Sequence, residues 1–108
     1  PFFREALADG VIAHCGKEGI GFLAYSPVGG GRLHKKLPAH PEVAGIARAR
    51  GVEPHQVVLA WVMASSPCVI PIPGASRPES ARGSAAAASV ALTREERARI
   101  DAAVFSTE

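Results

Sequence analysis

Along the chain the spacing of apolar positions changes several times, and each change marks a passage between helical and extended structure. Phe3, Leu7 and Val11 fall four apart with Ala6 and Ile12 beside them, so residues 2 to 18 are predicted to form an amphipathic helix ending at Gly19. Asp9-Gly10 is a candidate interruption of it. From Gly19 to Tyr25 the sequence Gly-Ile-Gly-Phe-Leu-Ala-Tyr is apolar without alternation. Such a run suits a strand covered on both faces, the condition of a parallel sheet flanked by helices. It empties into Ser26-Pro27-Val28-Gly29-Gly30-Gly31-Arg32, and residues 29 to 40 read as a long loop with a positive face from Arg32, His34, Lys35 and Lys36.

Pro41 as a first helical residue, Val43, Ile46 and Ala47 on one face, and Gly51 beyond the end describe a short helix. Pro54 opens the next, over residues 54 to 65. There Val57, Ala60, Trp61 and Ala64 share a face that Val58 and Val62 thicken, so the helix is expected to be largely buried, with Trp61 in the core. Pro67 stops it, and Val69 to Ile72 form a second strand in which Pro71 and Pro73 demand a place where ladder donors are not needed. Ser76 and Glu79 have capping-box spacing, with Pro78 in the first turn, ahead of a helix through the alanine-rich Ala81 to Ala88. Thr93 and Glu96 repeat the spacing before a last helix, which puts Ile100, Ala103 and Val104 on one face and Glu95, Arg97 and Arg99 toward water.

The order helix, strand, helix, helix, strand, helix, helix is two turns of a β/α alternation, an α/β class. Two parallel strands cannot cover their own edges, so more strands are expected, from upstream sequence or from a second copy. The chain begins Pro1-Phe2-Phe3 without an initiator Met, which reads as an internal cut in a larger polypeptide. A doubly wound dinucleotide fold is the rival, but no G-x-G-x-x-G follows either strand.

Composition narrows the function. With 108 residues, 47% hydrophobic and 20% charged, the chain is one domain or part of one and not a disordered tail. A net charge of +2 suits a small anionic partner and does not argue for nucleic acid. No apolar run approaches a membrane span and nothing resembles a secretion signal, so the expected location is cytoplasmic. Cys15 and Cys68 fit no metal-ligand spacing and read as buried thiols. His14, His34, His40 and His55 lack partner spacing and read as surface or structural histidines. No metal site is expected.

The chemistry concentrates after the two strands. Three successive glycines leave backbone N–H groups uncovered and admit close approach, and Gly74-Ala75-Ser76-Arg77 precedes a helix whose N-terminus attracts phosphate. Two strand-to-loop units, each with an arginine, Arg32 and Arg77, suggest one anionic ligand. In a (β/α)8 barrel the loops after strands seven and eight commonly hold a phosphate.

At these residues the chain resembles the C-terminal third of an aldo-keto reductase, a family of NADPH-dependent (β/α)8 TIM barrels. The likeness runs over nearly all of residues 1–108 and rests on AYSPVGGGRL, the Leu59-Ala60-Trp61 helix and VIPIPGASRPES. It implies that Tyr25 stacks on the nicotinamide, and that Ser26, Pro27, Val28, Gly29 and Gly31, with Arg32 alongside, line the pyrophosphate. It further implies that Gly74, Ala75, Ser76 and Arg77 hold the adenosine 2'-phosphate, a role in keeping with a guanidinium fork beside a helix N-terminus. Toward the adenine, many members carry Gln and Glu-Asn where this chain has Ser80 and Gly83-Ser84. The family's catalytic Asp, Tyr, Lys and His lie on earlier strands and have no counterpart here. Tyr25 is the only tyrosine and takes the stacking position, so the segment is expected to supply cofactor loops without catalytic residues. The implied partners are NADP(H) and, for the intact protein, a small carbonyl substrate. The alternative is a non-enzymatic assembly module that self-associates through its sheet edges.

Overall fold

The structure, a computed structural model, describes residues 7–25 and 39–102. Its elements are α1 (Val11–Glu18), β1 (Phe22–Tyr25), α2 (Pro41–Arg50), α3 (Pro54–Ala64), β2 (Val69–Ile72), α4 (Pro78–Ala86), a 3-10 turn at Ala87–Ser89 and α5 (Arg94–Ala102). None of the helices described is long and apolar enough to cross a membrane. Proline and glycine set the ends as expected: Pro41, Pro54 and Pro78 open helices, and Gly19 and Gly51 close them in the left-handed conformation at φ 70° and 67°.

The first helix is shorter than its apolar spacing predicts. Gly10 adopts φ 81°, which breaks the helical path after Asp9 and resets which residues face inward. Ile12 and Cys15 are buried, while Leu7 and Val11, expected on the buried stripe, are exposed; Phe3 and Ala6 lie outside the described residues.

β1 and β2 pair in parallel, with Phe22 opposite Val69 and Tyr25 opposite Ile72. The Phe22 N–H donates to the Cys68 carbonyl at 2.8 Å. In a parallel ladder alternate residues address the same neighbour, so Ile70 and Ile72 turn their backbone groups toward β1 and the nitrogen of Pro71 points away. The proline therefore removes no bond from this ladder and leaves the outer edge of β2 short of a donor.

α3 lies across this sheet and is buried from Val57 to Val62. Its core partners include Ile12, Ala24, Val43, Ile46, Val69 and Ile100. Trp61 is 5% exposed, and its indole N–H donates to Asp101 Oδ1 at 2.7 Å, so the one polar atom of this core residue is satisfied. Ala64, expected on the same face, is exposed in the last turn. Among the described residues the sheet is covered on one face only. Ala24 and Val69 are buried, whereas Leu23, Ile70 and Ile72 are 60%, 51% and 48% exposed. Full cover, as the unbroken apolar run predicts, is not supplied by the described residues of this chain.

α5 is fastened mainly by polar groups, with Ile100 its one buried residue. The Thr93–Glu96 capping box forms: Thr93 N–H donates to Glu96 Oε1 at 2.8 Å and Glu96 N–H to Thr93 Oγ1 at 3.1 Å. Glu96 also accepts from Arg50 Nε at 2.8 Å and from Arg50 Nη2, tying α5 to the end of α2. Glu95, Arg97 and Arg99 are exposed as expected, though Arg97 reaches the Ala64 carbonyl at 3.1 Å and Arg99 the Glu42 carboxylate at 2.7 Å.

The Arg50 hydrogen bonds hold the Glu96 carboxyl at about 2, well below its ordinary 4.5. A carboxyl lowered in the folded state binds its proton more readily when unfolded, so its contribution is complete above pH ~4.5 and fades as pH falls toward ~2. The melting temperature of the protein is expected to drop through that window, and Glu96→Gln to flatten the drop. An identical acid profile in the variant would contradict this assignment.

Candidate functional site

The register places Tyr25, the last residue of β1, level with Ile72, the last of β2. The two strands therefore end on the same edge of the sheet. From that edge Pro73 to Arg77 lead into α4, with Gly74, Ala75, Ser76 and Arg77 all exposed. A Cβ at Gly74 would meet no atom within 4 Å, so the loop is open at that position, while Pro73 and Ala75 border a groove with Leu59 and Met63.

The start of α4 differs from the capping box predicted at Ser76 and Glu79. Arg77 is the N-cap, extended at φ −135° and ψ 150°, and no side chain caps this end. Pro78 is the cause. A residue before proline is pushed out of the helical region, so Arg77 cannot be the first helical residue that a Ser76 cap requires. Pro78 takes that position because its fixed φ suits it. The result is a helix end whose first N–H groups are not satisfied by side chains, with an arginine at the junction. This is a donor set that fits a phosphate dianion.

Ser80 and Ser84 are half-buried on α4 with Gly83 between them. Gly83 meets the start of α3, where Gln56 Nε2 donates to its carbonyl at 2.9 Å, and Ser84 lines a groove with Leu59 and Met63 of α3. Gln56 also accepts from the Glu53 N–H through Oε1 at 2.9 Å. One side chain thus caps α3 and binds α4. Nothing in the sequence reading singles out Gln56, although the E-x-x-Q spacing from Glu53 to Gln56, just before an apolar run, carries the signal. Further along, an apolar groove of about 410 Å³ between α3, β2 and α4 is lined by Leu59, Met63, Pro71, Ala81 and Ala85 among others.

Ser26, Pro27, Val28, Gly29, Gly31 and Arg32 lie outside the described residues, as does His34, and of Tyr25 only the backbone is described. His14 is exposed, and His40 caps α2 by accepting the Glu42 N–H at 3.2 Å through Nδ1. Both cysteines are free thiols. Cys15 is buried as expected, while Cys68 is half-exposed and donates weakly to the Ile12 carbonyl at 3.7 Å. Among the described residues no group of three or more His, Cys, Asp or Glu is placed to hold a metal.

A sequence model of the Aldo/keto reductase family matches residues 1–104. The chain belongs to the aldo/keto reductase family. An uncharacterized oxidoreductase of Schizosaccharomyces pombe is 29% identical over 84% of this chain and 29% of its own length. A probable aldo-keto reductase of Glycine max is 28% identical over 66% of this chain and 28% of its own. Among solved structures, the thermostable aldo-keto reductase Tm1743, crystallised with the inhibitor epalrestat, superposes with a TM-score of 0.78 at 31% identity, covering 91% of this chain and 35% of that one. The deep-sea metagenomic aldo-keto reductase MGS-M4 gives a TM-score of 0.71 at 22% identity over 87% and 35% of the two chains, a likeness of fold. The α/β architecture is thus part of a (β/α)8 barrel, and the chain spans about a third of the length of the relatives it matches.

The double role of Gln56 makes it a support for the site-bearing helix. Gln56→Ala is expected to cost about 1–2 kcal/mol in denaturant unfolding and to speed hydrogen exchange in α4 more than in α2. Equal exchange in both helices would show that the amide does not hold α4.

Proposed function

We propose that this chain is the cofactor-holding C-terminal portion of an NADPH-dependent reductase of aldehydes and ketones. The observation that supports it most directly is the exposed Gly74–Arg77 loop, which runs from the shared strand end into an uncapped helix N-terminus. In this reading Arg77 and the first N–H groups of α4 bind the 2'-phosphate, and Ser76 stands beside them. Tyr25, at the end of β1, stacks on the nicotinamide and orients it. Ser26, Pro27, Val28, Gly29, Gly31 and Arg32 line the pyrophosphate, and Ser80 and Ser84 face the adenosine. The bound dinucleotide supplies the hydride. The chain's own part is to grip and align, because its single tyrosine is spent on stacking and the acid that protonates the alkoxide belongs to strands the chain does not contain.

A guanidinium on the 2'-phosphate discriminates NADPH from NADH. Titration of the protein with both is expected to show a preference for NADPH that Arg77→Ala removes. One charged hydrogen-bonded pair is worth on the order of 2 kcal/mol, or about 30-fold. Equal affinity of the unaltered protein for the two cofactors would refute the role of Arg77.

One observation favours a second reading. Leu23, Ile70 and Ile72 leave an apolar sheet face bare, and a chain of this kind on its own would hide it by self-association, as a non-enzymatic module. Sedimentation of the 108-residue chain decides: a dimer or larger species is expected on this reading, and a stable monomer excludes it.

A further inference from the structure

We draw no further inference here: the strongest candidate, the cavity of about 380 Å³ at the starts of the two strands, lined by Gly16, Gly21, Ser66, Cys68 and Ile70 among others, rests on a lone cysteine whose sulfur already meets the Ser66 hydroxyl at 3.3 Å and the Ile12 carbonyl at 3.7 Å, and no second observation among the described residues points to a ligand there.

Discussion

The geometry of the candidate site depends on the register of two strands too short to hold it themselves. Two four-residue strands in parallel form a ladder that is marginal in water. What fixes it is α3, whose residues Val57 to Val62 are all buried. Ala24 and Val69, on neighbouring strands, share its core cluster. Full burial of each aliphatic side chain is worth about 1.5–3 kcal/mol, several times a net backbone hydrogen bond. A slip of either strand by one residue would turn Ala24 or Val69 to the bare face and Leu23 or Ile70 into the core. The apolar contact therefore chooses the register, and the register sets Tyr25 level with Ile72.

α5 is held by different means. Its residues are mostly charged and only Ile100 is buried, so packing alone gives it little. Glu96 closes the helix's own first turn with Thr93 and takes Arg50 from α2, two tasks for one carboxylate. Asp101 takes the Trp61 indole. The Arg99–Glu42 pair is exposed on both sides and contributes at most about 1 kcal/mol. The half-buried Arg50–Glu96 pair and the indole bond are the better anchors, because both satisfy groups that water reaches poorly.

Much of the fold was legible in the sequence because proline, glycine and short capping patterns act locally. Pro41, Pro54, Pro78, Gly19 and Gly51 mark ends by backbone sterics that need no tertiary partner. At Ser76 two local signals compete, and the restriction Pro78 places on Arg77 outweighs the single side-chain hydrogen bond of a cap. The break at Gly10 was visible as a dipeptide, but its effect on which face is buried was not, since that depends on where α1 docks. The pairs that fasten α5 join residues some 40 or more apart in sequence, and spacing carries no trace of them. The loop of the candidate site was legible from Gly74 to Arg77. The amide that supports α4 was not, because Gln56 reaches the Gly83 carbonyl only once α3 and α4 are packed.

The apolar run of β1 promised cover on both faces, and the family's fold explains why one face is bare. In a closed (β/α)8 barrel the strands turn alternate side chains inward, where they stack in layers. Leu23, Ile70 and Ile72 are on the face opposite the helices and correspond to that interior. Their exposure lowers the stability of the sheet but does not blur its register, which is chosen on the helix side by contacts wholly within this chain. α4 follows the same division. None of its residues is buried, so it is positioned by Pro78 at its start, the Gln56 amide at its middle and the buried Ala87 just beyond its end. An element held at these points and left uncovered elsewhere keeps its first turn open to solvent, which is the property a ligand-gripping helix end requires.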